Sequence, residues 1–81
     1  MITIYSKQGC PFCVKAKDLL EGFHIEHEVL DVMKDGTAMS FVKRKGHNAV
    51  PQIYLGEQML TDGYAGLSKM SKEQIQEKIA L

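Results

Sequence analysis

The sequence predicts an α/β fold in which a four-stranded mixed sheet is flanked by helices. Short β-branched and aromatic segments alternate with segments whose apolar residues recur at three- and four-residue steps. The last two strand-like segments are separated only by Gly56-Glu57, which suits a hairpin. The chain has 81 residues and is 44% hydrophobic, enough for one core. We therefore expect one domain, 1–81, with the order β-α-β-α-β-β-α and a short helical turn before the last helix.

The first strand and helix are predicted at the N-terminus. Met1 to Ser6 contains the β-branched and aromatic run of the first strand. Pro11 suits the first helical turn, where its missing N–H has no partner to lose. We expect this helix to end at Glu21 or Gly22, with Gly22 as its C-terminal stop. Its predicted inward face consists of Cys13, Ala16, Leu20 and Phe23.

A second strand and helix follow. Ile25 to Val32 is predicted as a strand with imperfect alternation, and Lys34-Asp35-Gly36 as a turn. Thr37 is the expected cap of a helix that runs to about Lys45 and ends at Gly46 in the left-handed conformation. Its expected buried face consists of Ala38, Phe41 and Val42.

A hairpin comes next. Gln52 to Leu55 and Gln58 to Leu60 are the predicted strands, joined by a type II′ turn at Gly56-Glu57. We expect these two strands to pair antiparallel. The earlier strands, which are joined through helices, are expected to pair in parallel.

The C-terminal segment is predicted to be helical. Thr61 to Gly66 is a polar, glycine-bearing loop, followed by a helical turn near Leu67 to Met70. Ser71 can cap the last helix, with Gln74 at the capping-box position. Ile75 and Ile79 are expected to face inward.

The two cysteines of the chain, Cys10 and Cys13, lie at the predicted strand-to-helix junction. The free N–H groups and the dipole of a helix N-terminus stabilise an anion there, so we expect the pKa of Cys10 to lie below the reference value of about 8.5. No acidic residue precedes Asp18, and positive charge comes from Lys7, Lys15 and Lys17. A thiolate attacks disulfides, and a second thiol three positions on can resolve the mixed disulfide. Cys10 is therefore the predicted attacking residue and Cys13 the resolving one.

Two other uses of a C-x-x-C pair have weaker support. A zinc site would need two further ligands from among His24, His27 and His47, and His24 and His27 are too closely spaced for the usual pattern. A structural disulfide between Cys10 and Cys13 would close a very small loop and restrict the unfolded chain little.

The composition excludes other classes of function. Ten Lys and Arg balance ten Asp and Glu, so the net charge indicates neither nucleic-acid nor membrane binding. The N-terminus lacks a signal-peptide pattern, and no apolar run approaches membrane-spanning length. We expect a cytoplasmic monomer in which the cysteine pair is a working dithiol.

At Cys10-Pro11-Phe12-Cys13 and Val50-Pro51 the chain resembles a glutaredoxin of the thioredoxin fold. The resemblance covers nearly the whole chain and is most specific at 10–17 and 46–54. The family usually has Tyr at the position of Phe12. The resemblance implies that Pro51 is cis and faces the cysteine pair, and that the Val50 backbone pairs with incoming glutathione or peptide. The glutathione-binding residues that it implies are Lys7, Phe12, Arg44, His47, Val50, Pro51, Asp62 and Gly63, whereas Lys43 is read as a solvated surface charge.

The resemblance also implies the chemistry. A glutaredoxin is a thiol-disulfide oxidoreductase in electron transport and cell redox homeostasis, with glutathione as reducing co-substrate and with no bound cofactor or metal. Its substrates are protein disulfides and glutathione mixed disulfides, and ribonucleotide reductase is a further implied acceptor. Glutathione would return the oxidised Cys10–Cys13 pair to the dithiol.

One stretch departs from the family pattern. Glutaredoxins usually carry Gly-Gly and then Asp after the hairpin, where this chain has Thr61 to Leu67. Asp62-Gly63-Tyr64 is similar to the Ser-Gly-Phe of NrdH-type redoxins, which are reduced by thioredoxin reductase. That redoxin is the first alternative. The second is a metal-binding module that uses Cys10 and Cys13, with zinc or an iron–sulfur cluster bridging two chains.

Overall fold

The computed structural model describes residues 1–81, with four strands and four helices. None of the helices is long and apolar enough to cross a membrane. In chain order the elements are β1 (Ile2–Ser6), α1 (Pro11–Gly22), β2 (His27–Asp31), α2 (Gly36–Arg44), β3 (Gln52–Leu55), β4 (Gln58–Thr61), α3 (Gly63–Leu67) and α4 (Lys72–Ala80).

The strands form one mixed sheet in the order β2-β1-β3-β4, which confirms the predicted fold class. β1 and β2 are parallel, and the β3–β4 hairpin is antiparallel, as predicted. The expectation of parallel pairing is wrong for β3, which pairs antiparallel with β1. The reason is that the chain after α2, residues 45–51, enters the sheet from the opposite end, so a helical connection here does not restore the strand direction.

The sheet separates two hydrophobic clusters. Ile2 and Ile4 of β1 project to one face, and Tyr5 projects to the other, as the two-residue period of a strand requires. The first cluster packs α1, α3 and α4 against the sheet and comprises Ile2, Ile4, Ala16, Leu20, Ile25, Ile53, Leu60, Leu67 and Ile75. The second packs α2 on the opposite face and comprises Tyr5, Val32, Ala38, Val42 and Tyr54.

The N-terminus of α2 is capped by Asp35 and not by Thr37, so that prediction is wrong. Asp35 Oδ1 accepts hydrogen bonds from the backbone N–H groups of Thr37 at 3.0 Å and Ala38 at 3.1 Å. Asp35 has the extended backbone of an N-cap, while Thr37 already lies inside the helix. At the other end, Gly46 adopts the predicted left-handed conformation with φ of 84°.

The end of α1 was predicted only in part. The helix ends at Gly22, but the left-handed residue that follows is His24, with φ of 56°. Ile25 N–H donates to the Leu20 carbonyl and His24 N–H donates to the Glu21 carbonyl, each at 3.0 Å. This pair of bonds is a Schellman motif, and it places buried Ile25 against Leu20. Ile25 is therefore a helix-cap contact outside β2, which begins only at His27.

The C-terminal helices differ in detail from the prediction. α3 begins at Gly63, several residues before the expected turn at Leu67. The capping box of Ser71 and Gln74 is confirmed, with bonds of 2.8 and 3.1 Å. Ile75 is fully buried, but Ile79 is 39% exposed, so its expected inward orientation is wrong. α4 therefore contacts the core mainly through its first turn.

Candidate active site

The cysteine pair sits at the N-terminus of α1. Cys10 is the N-cap, with φ of −104° and ψ of 104°, and Pro11 follows in the first helical turn. Cys10 Sγ accepts a hydrogen bond from the Cys13 backbone N–H at 3.2 Å. The two side chains are joined by a disulfide, with Cα atoms 5.3 Å apart. A helix N-terminus thus presents its backbone donors to the sulfur of Cys10.

The two sulfur-bearing residues differ in accessibility. Cys10 is half-buried, whereas Cys13 is 3% exposed and faces the core side of α1. The first turn of α1 contains no acidic residue. Lys7, three residues before Cys10, is exposed, and Lys15 Nζ lies 5.2 Å from the centre of the Phe12 ring. An incoming group can therefore reach Cys10 far more readily than Cys13.

The segment opposite the disulfide is Val50-Pro51, whose peptide bond is cis. Cys10 Sγ lies 3.9 Å from the Val50 carbonyl oxygen, and Pro51 is buried. Neither the N–H nor the C=O of Val50 takes part in a backbone–backbone hydrogen bond. A backbone donor and acceptor without backbone partners therefore lie beside the reactive sulfur.

A first groove, here named the lysine groove, begins at Val50. It has a volume of about 300 Å³ and brings together three of the predicted binding residues, Lys7, His47 and Val50. His47 follows Gly46 in a Schellman motif, and its Nε2 lies 2.6 Å from Tyr54 Oη, which fixes the imidazole ring. The remaining lining residues are Val32, Met33, Met39, Val42, Lys43, Asn48 and Ala49.

A second groove, here named the tyrosine groove, begins at Pro51. It has a volume of about 440 Å³ and brings together four predicted residues, Phe12, Pro51, Asp62 and Gly63, with Tyr64, Ala65 and Ser68. Phe12 is 55% exposed, and its ring centroid lies 5.8 Å from that of Tyr64. Gly63 has φ of 57°, a left-handed conformation that favours glycine.

Arg44 is the one predicted binding residue that lines neither groove. Its guanidinium pairs with the Glu57 carboxylate at 3.4 Å and lies 5.2 Å from the centre of the Phe41 ring. Hydrogen bonds from Arg44 and then Lys45 are the main causes that lower the pKa of Glu57. Arg44 thus joins the end of α2 to the hairpin turn.

Several residues of the grooves were not predicted from the sequence. Tyr64 forms an aromatic wall beside Phe12, and its position next to a glycine in a polar loop was the available signal. Met33 and Met39 also line the lysine groove. No periodicity pointed to Met33, because it lies in the connection between β2 and α2, and Met39 lies on α2 outside the predicted buried face.

The histidines that a zinc site would need lie apart from one another. His47 bonds to Tyr54, His27 Nδ1 lies 2.8 Å from the Ile25 carbonyl oxygen, and His24 lines a separate depression beside α4. No three side chains of His, Cys, Asp or Glu are grouped so that they could hold a metal ion within this chain.

Comparisons with known proteins agree with this geometry. The family model named Glutaredoxin matches residues 2–60. The hybrid peroxiredoxin hyPrx5 of Haemophilus influenzae is 40% identical over 55 residues, 68% of this chain, and the chain spans only 23% of that relative's length. Glutaredoxin 3 of Escherichia coli K12 is 37% identical over 60 residues, with 70% of each chain covered. The solution structure of a glutaredoxin from Brucella melitensis is 28% identical, with a TM-score of 0.71 and coverage of 96% of this chain and 85% of that one.

Proposed function

Because the chain belongs to the glutaredoxin family of thiol-disulfide oxidoreductases, we propose that it reduces protein disulfides and glutathione mixed disulfides, with glutathione as the reductant. The observation that carries this proposal is the pairing of an accessible Cys10 at a helix N-terminus with a buried Cys13 three residues on. We further propose that residues 1–81 act as one cytoplasmic, monomeric domain.

The proposed reaction begins from the dithiol. The Cys10 thiolate attacks one sulfur of a substrate disulfide, a Cys10–substrate disulfide forms, and the other substrate sulfur leaves as a thiolate. Cys13, as a thiolate, then attacks Cys10 Sγ and expels the second substrate thiolate. The substrate disulfide has gained two electrons, and the protein has lost two electrons in forming the Cys10–Cys13 disulfide. We expect the helix N-terminus to lower the pKa of Cys10 and so to raise its thiolate fraction.

Glutathione completes the proposed cycle. One glutathione thiolate attacks Cys10 Sγ, because Cys13 is too buried to be approached, and Cys13 leaves as the thiolate. A second glutathione thiolate attacks the glutathione sulfur of the mixed disulfide. Glutathione disulfide leaves, and Cys10 returns to the thiolate. With a substrate's glutathione mixed disulfide, the Cys10 thiolate attacks the glutathione sulfur and the substrate thiolate leaves. The resulting Cys10–glutathione disulfide is then cleaved by the last step above, so this reaction needs only Cys10.

The two grooves support binding of a zwitterionic tripeptide. The Val50 N–H and C=O would pair with the cysteinyl backbone of glutathione beside Cys10. Lys7 offers a positive charge, and His47 an imidazole, to one carboxylate at the lysine groove. Asp62 offers a carboxylate to the α-ammonium group at the tyrosine groove, next to the Gly63 backbone and the Phe12 ring. Arg44 is left out of this proposal because it pairs with Glu57.

The same loop supports a second reductant. Asp62 lines the tyrosine groove without an ion-pair partner. The carboxylate that would attract the α-ammonium group also repels the α-carboxylate on the same carbon, which would weaken the binding of glutathione. A re-partnered site, reduced by thioredoxin reductase in the manner of an NrdH-type redoxin, is therefore the second candidate. A paired turnover assay, with glutathione as the reductant in one reaction and thioredoxin reductase in the other, separates the two.

Two protein substrates are proposed. Ribonucleotide reductase follows from the family resemblance. A peroxiredoxin is suggested by the relative named a hybrid peroxiredoxin, of which the match with this chain covers 23%. Either would present an oxidised cysteine to Cys10.

The roles of the two cysteines can be tested by substitution. Cys10→Ser should abolish turnover of every disulfide, because it removes the attacking sulfur. Cys13→Ser should spare turnover of a glutathione mixed disulfide and abolish the dithiol route to protein disulfides. Turnover by Cys10→Ser equal to that of wild type would refute the assignment. Intact-mass measurement of Cys13→Ser, quenched during turnover, should show one added glutathione, on Cys10.

A further inference from the structure

We infer that the lysine groove is a specificity site for protein substrates. It binds a bulky apolar side chain of the substrate that lies close in sequence to the attacked cysteine and next to an acidic residue. This inference rests on the proposed function, because it assumes that Cys10 attacks disulfides beside Val50. The groove shares Val50 with the reactive site, and the Val50 carbonyl lies 3.9 Å from Cys10 Sγ. A substrate strand rises about 3.3 Å per residue, so side chains within one to three residues of its cysteine can reach the groove.

The lining of the groove fits an apolar side chain. Six of its ten lining residues are hydrophobic, and its floor is set by residues that β2 and α2 hold in place. Val32 N–H donates to the Ser6 carbonyl at 2.8 Å, and Met33 N–H donates to Asp31 Oδ1 at 2.8 Å, so the backbone beneath the groove is fixed. The Met33 side chain is 69% exposed, and an unbranched thioether adapts to differently shaped partners.

Glutathione does not supply a group for this floor. Its glycine has no side chain, and its γ-glutamyl group offers only two methylenes between polar ends, so the tripeptide has no bulky apolar group for the surface beside Lys7. A volume of about 300 Å³ is at the lower end of the range of whole-ligand pockets, which suits one or two side chains of a longer chain. The chemistry of the groove therefore favours a polypeptide.

The charge at the rim of the groove indicates which residue of the substrate lies next to the apolar side chain. Lys7, Lys43 and His47 line the groove, and no acidic residue does. The ion pairs of the chain are formed by Lys17, Arg44 and Lys45, so neither Lys7 nor Lys43 is paired with an acidic residue. A carboxylate next to the apolar side chain complements this rim, while a lysine there would be repelled. Lys43 thus has a role that its sequence position did not indicate.

The test uses short peptides whose single cysteine is joined by a disulfide to 2-nitro-5-thiobenzoate. Attack of the reduced protein's Cys10 on the peptide sulfur releases the coloured thiolate, so no external reductant is involved. The peptides carry Phe-Asp, Phe-Lys or Gly-Gly directly before or directly after the cysteine. The corresponding glutathione disulfide is the reference substrate. In at least one placement, wild type should react with the Phe-Asp peptide about tenfold faster than with its Gly-Gly counterpart.

Four variants make the test specific. Met33→Ser should lower the preference for Phe-Asp over Gly-Gly severalfold. Met59→Ser, which removes a 48% exposed methionine from the far end of the hairpin, should leave this preference unchanged. Lys43→Glu should abolish the preference for Phe-Asp over Phe-Lys, because the remaining charge of Lys7 is then balanced by the new carboxylate, and Lys78→Glu on α4 should leave the preference unchanged. A loss of this preference with an unchanged rate for the Gly-Gly peptide cannot arise from a general loss of structure.

Three results would overturn the inference, and they differ in what they say about the proposed function. Equal rates for all peptides, with normal release from the glutathione disulfide, would refute the specificity site and leave Cys10 chemistry intact. A preference that Met33→Ser and Met59→Ser lower equally, or that Lys43→Glu does not change, would place the recognition elsewhere. No release from any disulfide by the reduced protein would refute both the inference and the proposed role of Cys10.

Discussion

Replacement of Gly66 by alanine should destabilise the fold, although alanine is the better helix former. Gly66 lies within α3, and a Cβ there would collide with Thr61 Oγ1 and lie 3.4 Å from Thr61 Cβ. Thr61 is β-branched and stiff about χ1, so the overlap costs about 1–3 kcal/mol by analogy with overpacked cores. The gain in helix propensity is about 1 kcal/mol. The net change expected is a loss of about 0–2 kcal/mol in the free energy of unfolding.

A double-mutant cycle isolates this clash. In a Thr61→Ala background the obstructing hydroxyl is absent, so Gly66→Ala should stabilise the protein by up to about 1 kcal/mol. Urea unfolding of the four proteins, with the Cys10–Cys13 disulfide intact, measures both changes. If Gly66→Ala stabilised wild type and the Thr61→Ala variant equally, the close approach of β4 and α3 described here would be wrong.

Three further predictions follow from particular contacts. Asp35→Ala should lower the free energy of unfolding by about 1 kcal/mol because it removes the N-cap of α2. Thr37→Ala should change it by less than about 0.5 kcal/mol. Comparable losses for the two variants in urea unfolding would contradict the assignment of Asp35 as the N-cap. Burial raises the pKa of Tyr5 above its ordinary value of 10.0, and the charge of Glu28 is the next cause. The stability that depends on neutral Tyr5 is therefore complete below pH 10 and is lost as the pH rises through the higher folded-state pKa. Tyr5→Phe should therefore flatten the fall in unfolding free energy above about pH 10, and an unchanged slope would show that folding does not raise the pKa of Tyr5. Lys7→Gln should raise KM for glutathione by about fivefold at low salt, because an exposed charge contributes at most about 1 kcal/mol, and by less at high salt, where the charge is screened. Lys34 lines neither groove, so Lys34→Gln is the control. An equal effect of the two substitutions would contradict a specific role for Lys7.

Local patterns predicted most of the fold. The Gly56-Glu57 turn, the Gly46 stop and the Ser71–Gln74 capping box each depend on residues a few positions apart, and all three are present. The same local reasoning placed Cys10 at the helix N-terminus. Sequence therefore carries the information where a short segment determines its own conformation.

Features set by distant contacts were not predictable in the same way. The direction of β3 depends on where the chain re-enters the sheet beside β1. Arg44 was expected to bind glutathione, and its pairing with Glu57 could not be foreseen because it depends on the hairpin turn lying next to the end of α2. The apolar floor of the lysine groove is formed by residues from separate elements, so no single stretch of sequence indicates it.

The site itself divides in the same manner. Cys10 and Cys13 are indicated by their spacing and by the helix that follows them. The grouping of the remaining predicted residues into two grooves on either side of Val50-Pro51 requires the folded chain. Tyr64 belongs to the site because α3 begins early enough to bring its ring beside Phe12.

The most direct test of the proposed function is a paired turnover assay on a small disulfide. One reaction is driven by glutathione with glutathione reductase, and the other by thioredoxin reductase. The proposed function predicts strong turnover with glutathione, carried by Cys10 and lost in Cys10→Ser. Turnover with thioredoxin reductase alone would contradict glutathione dependence and would direct attention to the loop at Asp62, Gly63 and Tyr64.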